Sequence, residues 1–281
     1  MAGRLLLAIS CLTALSLVTG TAVAEPRIYN GYDAHTKDHP WMVHLEVRFP
    51  LANGAESLLG CGGTLVSADK IVTAAHCVFK PVVGVERIPL DKTKVIIGRD
   101  NVTDSSRDFL VPKDLWVHPA YVKPEAGNDI AVLTLAQSVK DVEPLPLAGP
   151  GDSALYETGA KATVLGWGRV NDDKPFSSSL SHLQGADITL ISEEDCASQW
   201  YLSAASREKI VCAGGKKLDG ADACMGDSGG PLFAGGKLIG VVSAGEPCNR
   251  SRRSGLYTKV SHYYCLLQRQ IGGARAERGC R

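Results

Sequence analysis

Three short segments of the sequence contain side chains that could cooperate in nucleophilic catalysis. They are residues 73–77 (TAAHC), 128–133 (NDIAVL) and 226–231 (GDSGGP). A serine hydroxyl is a weak nucleophile until an imidazole takes its proton, and that imidazole needs a carboxylate on its other nitrogen. Each segment alone is also typical of an ordinary strand end or turn. Together, His76, Asp129 and Ser228 provide a base, an orienting carboxylate and a nucleophile.

The glycines around Ser228 favour a tight turn that exposes the hydroxyl and aims backbone N–H groups at one point. Such N–H groups can stabilise the oxyanion of a tetrahedral intermediate. The segment therefore predicts acyl transfer through a covalent intermediate.

The beginning of the chain predicts export. A basic start is followed by an apolar run over residues 5–18, and Ala22-Val23-Ala24 has the small-x-small form of a cleavage site. This pattern is typical of a secretory signal peptide covering residues 1–24. The alternative is a membrane anchor, but the run is shorter than the ~20 residues that a bilayer requires. We expect a secreted, extracellular protein.

Composition excludes several classes of protein. The 281 residues carry 30 Lys+Arg against 30 Asp+Glu, with 44% hydrophobic and 21% charged residues. A disordered chain would be less apolar, and a nucleic-acid binder would show a basic excess. Of the nine cysteines, Cys11 lies in the apolar run. The other eight predict disulfides in an exported chain, although the sequence alone leaves their pairing open. A metal site would need further close Cys/His pairs besides His76-Cys77.

The segments that must position these residues are predicted to be short strands. Apolar stretches separated by Gly and Pro occur at residues 41–47, 63–66, 95–97, 130–135, 162–165, 238–242 and 256–260. Many short strands over ~250 residues favour β-barrels or sandwiches. Residues 261–271 are the best helix candidate, ended by Gly272-Gly273.

The combination of motifs resembles the trypsin-like (chymotrypsin-fold) serine proteases from Ile28 to about Ile271. It includes the chain order His, Asp, Ser, together with Cys61-Gly62-Gly63, Gly166-Trp167-Gly168 and the segment 255–260 (GLYTKV). The resemblance implies an all-β fold of two packed six-stranded antiparallel β-barrels, with the active site between them and a C-terminal helix. The protease domain would span residues 28–281.

The resemblance also implies roles for individual residues. His76 would act as general base and then acid, Asp129 would orient it, and Ser228 would attack the scissile carbonyl. The N–H groups of Gly226 and Ser228 would form the oxyanion hole. The substrate-binding residues would be Asp222, Ser243, Gly245 and Gly255.

Asp222 would lie at the floor of the primary specificity pocket. A carboxylate in a narrow slot favours a long cationic side chain. Ala223 stands where trypsins commonly have a serine, so a hydroxyl that would help to hold a lysine is absent. We therefore expect cleavage after Arg in preference to Lys, because a guanidinium can meet the carboxylate with two parallel bonds.

Residues 27–31 (RIYNG) resemble the activation site of the family. Cleavage after Arg27 would remove a propeptide of residues 25–27 and free the amine of Ile28. In relatives that amine pairs with the aspartate before the nucleophile, here Asp227. Arg27 itself fits the expected pocket, so self-activation and activation by another protease both stay open.

The resemblance implies three disulfides: Cys61–Cys77, Cys196–Cys212 and Cys224–Cys248. Cys265 and Cys280 have no usual partner in the family. They would either pair with each other and tie back the tail, or link this chain to another.

Two other classes of function remain. The first is a non-catalytic binding protein on a protease scaffold, although such proteins generally lose a residue of the triad. The second is an esterase or lipase, which usually has Gly-x-Ser-x-Gly rather than Gly-Asp-Ser-Gly-Gly. For an endopeptidase we expect protein or peptide substrates, protein protease inhibitors as partners, and a monomer. We expect no metal, cofactor, nucleic acid or membrane.

Overall fold

The computed structural model describes residues 31–50, 54–79, 87–103, 109–168, 182–215, 220–246, 252–272 and 280. The expected signal peptide (1–24), propeptide (25–27), Ile28 and Cys248 lie outside these residues. The cleavage, activation and Cys224–Cys248 predictions therefore remain predictions.

The described ranges consist mainly of strands. The strands are β1 (Tyr32–Asp33), β2 (Met42–Pro50), β3 (Glu56–Ser67), β4 (Lys70–Thr73), β5 (Thr93–Ile97), β6 (Pro112–Val117), β7 (Ala131–Leu135), β8 (Lys161–Gly166), β9 (Gln184–Thr189), β10 (Ile210–Ala213), β11 (Pro231–Ala234), β12 (Lys237–Ala244) and β13 (Gly255–Lys259). The α-helices are α1 (Ala75–Val78), α2 (Glu193–Trp200), α3 (Ala204–Arg207) and α4 (Val260–Ile271). Short 3₁₀ turns cover Leu90–Lys92, Pro124–Ala126 and Ser153–Tyr156.

The first barrel is a six-stranded antiparallel sheet in the order β5-β2-β3-β4-β7-β6. An antiparallel bridge between Val95 in β5 and Leu110, just before β6, brings its two edges together. Strand β7 is buried along its whole length, which explains why its sequence is apolar except for Thr134. Closure leaves this barrel without a free edge at that point.

The second barrel contains β9, β8, β11, β12, β13 and β10, and an antiparallel bridge between Leu190 and Ala213 connects its ends. The two-residue strand β1 adds to it as a seventh strand by pairing with β9. The expected pair of six-stranded barrels is confirmed. Strand β1 was not predicted because both of its residues are exposed and show no apolar pattern.

The predicted C-terminal helix is confirmed as α4, and it begins one residue earlier than expected. Its buried residues Val260, Tyr263 and Leu267 lie on one helical face, in the same buried cluster as first-barrel residues such as Leu115. Gly272 ends the helix in the left-handed conformation. Helix α4 therefore continues from the last strand of the second barrel and packs on the core of the first.

Three of the expected disulfides are formed: Cys61–Cys77, Cys196–Cys212 and Cys265–Cys280. The last one decides between the two alternatives for the tail, because the two cysteines pair within the chain. Cys224 is also disulfide-bonded; its expected partner, Cys248, is outside the described residues.

Candidate active site

Two neighbouring strand ends bring His76 and Asp129 together. Strands β4 and β7 are antiparallel neighbours, and Thr73, the last residue of β4, is paired with Ala131, the first residue of β7. His76 follows β4 by three residues, in α1, and Asp129 precedes β7 by two. Both side chains therefore lie at the same edge of the first barrel.

The Asp129 carboxylate holds His76 through two hydrogen bonds. The ring Nδ1 of His76 lies 2.8 Å from Oδ2, and its backbone N–H donates to Oδ1 at 2.9 Å. Asp129 is fully buried, whereas a quarter of the His76 side chain is exposed. Because a carboxylate only accepts hydrogen bonds, Nδ1 carries the proton. The lone pair of Nε2 is then available to act as a base.

The second barrel contributes two further bonds to Asp129. The Ser243 hydroxyl in β12 donates to Oδ2 at 2.5 Å, and the Thr258 hydroxyl in β13 donates to the Asp129 carbonyl oxygen at 2.8 Å. A buried carboxylate is costly unless hydrogen bonds replace its hydration. The Ser243 hydroxyl and the two His76 bonds provide that replacement, and the bonds from Ser243 and Thr258 join the two barrels at the site.

The Ser228 turn fits against the first barrel through glycine contacts. Gly62 N–H donates to the Ser228 carbonyl oxygen at 2.7 Å. Gly229 has φ of +80°, and a Cβ there would overlap the Thr73 hydroxyl and lie 2.6 Å from the Gly62 carbonyl oxygen. Both the backbone conformation and the close approach require glycine at position 229.

His76 and Ser228 lie against the same disulfide. The Cys77 sulfur is 3.8 Å from Nε2 of His76 and 3.5 Å from the carbonyl oxygen of Ser228. Among the described residues, no hydrogen bond joins Ser228 to His76. Bonds between a nucleophile and its base are often long until substrate binds. Within the candidate triad, the hydrogen bonds between His76 and Asp129 are therefore formed, and the described residues show none between Ser228 and His76.

The N–H groups of Gly226 and Ser228 are available at the same turn. Neither donates to an acceptor within the part of the chain that the structure describes, whereas Asp227 between them donates to the Cys224 carbonyl oxygen at 2.9 Å. Gly226 has φ of +105°, a backbone conformation that residues with a Cβ rarely adopt. An oxyanion hole requires two such free donors beside the nucleophile, and these two N–H groups flank the candidate nucleophile Ser228.

The side chain of Asp227 points away from solvent and is fully buried. Its oxygens accept hydrogen bonds from Gly168 N–H and Cys224 N–H, each at 2.7 Å. Burial raises the pKa of this carboxyl to about 6, and the two backbone bonds only partly offset that effect. A positive charge placed beside this carboxyl would lower its pKa and favour its ionised form.

A cavity of about 220 Å³ opens beside Ser228. Asp222, Ala223, Gly245, Glu246 and Tyr257 are among the residues that line it together with Ser228. Asp222 is only 4% exposed, which places its carboxylate deep in the wall.

The two glycines expected at the pocket lie in different places. Gly245 lines the cavity, and a Cβ there would meet no atom within 4 Å. Gly255 is not among the residues that line the cavity, and a Cβ there would be 2.7 Å from Oδ1 of Asp222. Glycine at position 255 therefore leaves room for the Asp222 carboxylate.

Comparison with known proteins decides the family. The sequence model of the family described as "Trypsin" matches residues 28–266. The chain belongs to the trypsin family. It is 37% identical to a trypsin of Saccharopolyspora erythraea over 244 residues, covering 87% of this chain and 98% of that protein. It is 33% identical to hypodermin-B of Hypoderma lineatum (84% of each chain) and 32% identical to a trypsin of Sarcophaga bullata (84% of this chain, 85% of that protein).

Membership of the trypsin family makes the chain a serine endopeptidase, a hydrolase that acts on protein substrates. Within the described residues, no helix combines the length and apolar character needed to cross a membrane. The ligand atoms of Cys61, His76 and Cys77 cluster within 4.8 Å of one another. The two cysteines form a disulfide, however, so they lack the thiolates that bind zinc.

Residues of the trypsin-family cavity that sequence reasoning missed include Tyr257 and Glu246. The Tyr257 hydroxyl is buried and has no hydrogen-bond partner among the described residues, and burial raises its pKa well above the usual value. Its position in the segment 255–260 could have indicated it, since side chains alternate along a strand. Glu246 had no signal of its own in the sequence.

Proposed function

We propose that this endopeptidase is secreted and cleaves peptide bonds after Arg, in preference to Lys, with His76, Asp129 and Ser228 as its catalytic residues. One observation carries the proposal: the nearly buried carboxylate of Asp222 lines the same cavity as Ser228. A cationic side chain that enters the cavity would thus bring its own carbonyl group to the nucleophile.

The reaction begins when Ser228 Oγ attacks the scissile carbonyl carbon and its proton passes to Nε2 of His76. Asp129 stabilises the imidazolium through the bond to Nδ1. The carbonyl oxygen becomes an oxyanion, which accepts hydrogen bonds from Gly226 and Ser228 N–H. His76 then gives its proton to the leaving amine, and an acyl-enzyme forms. Water, deprotonated by His76, repeats the sequence and releases the acid.

The preference for Arg over Lys rests on the wall of the cavity. A guanidinium can reach a carboxylate with two parallel bonds, whereas the compact ammonium of Lys depends on additional oxygen atoms around it. Ala223 offers no hydroxyl at the position next to Asp222. The open space at Gly245 leaves room for a side chain of either length.

Activation and export form the second part of the proposal. The apolar run at residues 5–18 directs secretion, and cleavage after Arg27 frees the Ile28 amine to pair with Asp227. The raised pKa of the Asp227 carboxyl supports this, because a buried amine would replace the lost hydration. The active protein is a monomer to which protein protease inhibitors also bind.

The test is hydrolysis of matched Arg and Lys peptide anilides by the activated protein. We expect Arg substrates to have the higher kcat/KM, and Asp222→Ser to lose at least ~10³-fold on Arg. Asp91→Asn, which removes an exposed carboxylate, is the matched control. A fluorophosphonate should label the wild type but not Ser228→Ala.

Two outcomes would contradict parts of the proposal. Equal turnover of Arg and Lys substrates would remove the preference. Absence of both hydrolysis and labelling would favour a binding protein on a protease scaffold. The proposal leaves the activating protease open: a Ser228→Ala precursor that stays uncut when purified alone, while the wild type cuts itself, would favour self-activation.

A further inference from the structure

The residue before Asp129 has an unusual backbone conformation. Asn128 has φ of +64°, in the left-handed region that residues with a Cβ rarely adopt. It is also buried, with only 7% of its surface exposed. Asparagine tolerates this conformation better than most residues, but a strained residue in a buried segment needs surrounding structure to hold it.

A tyrosine from the far end of the chain holds Asn128 from both sides. The Tyr263 hydroxyl accepts a hydrogen bond from Asn128 N–H at 2.8 Å and donates one to Asn128 Oδ1 at 3.0 Å. The Nδ2 group of Asn128 donates to the Ala120 carbonyl oxygen at 3.1 Å. One hydroxyl thus satisfies a backbone donor and a side-chain acceptor of the same buried residue.

The conformation of Asn128 is transmitted directly to Asp129. Ile130 N–H donates to the Asn128 carbonyl oxygen at 2.9 Å, so that Asp129 is the middle residue of a three-residue turn. A rotation about the backbone of residue 128 would swing this turn and move the carboxylate away from His76. Even a displacement of about 1 Å is enough to lower the rate that a catalytic group supports.

The Tyr263 ring is itself fixed. It is 3% exposed in α4 and packs edge-on against the rings of His118 and His262, with centroids 5.4 and 4.8 Å away. We propose that Tyr263 is a positioning residue, whose hydroxyl fixes the left-handed turn at Asn128 and thereby aims Asp129 at His76. This inference rests on the proposed roles of Asp129 and His76.

The first test compares two neighbouring tyrosines of the same helix. We expect Tyr263→Phe to lower kcat by about tenfold while KM changes less than about twofold, because orientation rather than substrate binding is affected. Tyr264→Phe is the matched control, since the Tyr264 ring faces Gly149, and it should keep the wild-type kcat. A Tyr263→Phe variant with unchanged kcat, or with only a raised KM, overturns the proposal.

A second pair of variants separates backbone conformation from simple loss of packing. Asn128→Gly and Asn128→Ala both remove the amide, but only glycine adopts φ of +64° without strain. We expect Asn128→Gly to retain more kcat than Asn128→Ala, and Tyr263→Phe to have a smaller effect when residue 128 is glycine. If Tyr263→Phe lowers kcat equally with Asn or Gly at 128, Tyr263 does not act through this turn.

A readout without turnover distinguishes failure of this inference from failure of the proposed function. The His76 Nδ1 proton bound to Asp129 should give a low-field NMR resonance, assigned by its loss in His76→Ala. Tyr263→Phe should shift or broaden it, and Tyr264→Phe should not, even if the wild type hydrolyses nothing. An unaltered resonance in Tyr263→Phe overturns the inference and leaves the proposed function standing.

Discussion

Both oxygens of the Asp129 carboxylate bind His76, one through the ring nitrogen Nδ1 and the other through the backbone N–H. The carboxylate thus fixes both the position of the residue and the orientation of its ring. It also determines which ring nitrogen carries the proton, which makes the hydrogen-bonding character of residue 129 decisive.

Asp129→Asn should lower kcat by about 10³–10⁴-fold, because an amide can donate to Nδ1 and select the wrong tautomer of His76. Thermal unfolding should change little, since asparagine is isosteric. Steady-state kinetics with an Arg anilide measures the effect, and Asp114→Asn on the exposed surface is the control. A loss of less than tenfold would show that Asp129 does not orient the base.

Gly229→Ala should inactivate the protein, whereas Gly236→Ala should not. Both glycines have positive φ, +80° and +71°, so both substitutions introduce similar backbone strain of about 1 kcal/mol. Only the Cβ at 229 would collide with Thr73 and Gly62; at 236 it would meet no atom within 4 Å. Fluorophosphonate labelling of Ser228 reports the result. Equal labelling of the two variants would contradict the proposed fit of the turn.

Asp227 should make the uncleaved precursor less stable as the pH rises. Its pKa in the folded chain is about 6, above the ~3.9 of an unfolded aspartate. Between these values the folded state binds more protons, so the free energy of unfolding falls with pH, by up to about 2–3 kcal/mol across pH 4–7. Urea unfolding of Arg27→Gln, with and without Asp227→Asn, measures this.

The Asp227→Asn chain should become more stable relative to the Asp227 chain as the pH rises to about 7. The measured quantity is the difference between their free energies of unfolding. A pH-independent difference between the Asp227 and Asn chains would mean that the carboxyl is not destabilised by burial.

Ala223→Ser should narrow the preference for Arg over Lys. The new hydroxyl adds an oxygen beside Asp222, which an ammonium can use and a bidentate guanidinium does not need. We expect kcat/KM for a Lys anilide to rise by about fivefold to tenfold, with the Arg value changed less than about twofold. An unchanged ratio would locate the discrimination elsewhere in the cavity.

Replacing both Cys265 and Cys280 by alanine should lower stability without changing the oligomeric state. Their disulfide spans 15 positions, which corresponds to about 3 kcal/mol in the chain-entropy description. Denaturant unfolding under non-reducing conditions measures the loss. A disulfide-linked dimer of the wild type on a non-reducing gel would contradict the pairing within one chain.

The candidate catalytic residues could be proposed from the sequence because three short motifs together supply a base, an orienting carboxylate and a nucleophile, although each motif alone is also typical of a strand end or a turn. His76, Asp129 and Ser228 were chosen without knowledge of the fold, and their catalytic roles stay predictions. The short apolar stretches predicted barrels or sandwiches, and the resemblance to the protease family chose two six-stranded barrels. Helix α4 was the best helix candidate, ended by Gly272-Gly273. Helix α2 was missed although Ser192 caps it by accepting from Asp195 N–H and acidic residues fill its first turn. That local signal was present in the sequence.

Other parts of the site depend on contacts between distant residues, and no local pattern reports those. Tyr263 meets Asn128 across 135 positions, and the Ser243 hydroxyl reaches Asp129 across 114. Tyr257 in β13 and Glu246, two residues after the end of β12, become part of the cavity only when the fold places them beside Asp222. The conformation of Asn128 was equally invisible, since the same residue type occupies ordinary turns.

The close contact of Gly62 in the first barrel with Gly229 and Gly230 in the second bears on how the protease would lose activity. A Cβ at Gly62 would lie 2.6 Å from the Gly230 Cα, so at this contact the two barrels meet backbone to backbone, with no side chain between them. Side chains at this contact cannot repack to compensate for a small movement of one barrel relative to the other. Mild heat or denaturant that parts the halves would abolish turnover while each β-barrel keeps its circular dichroism, and inactivation would precede melting.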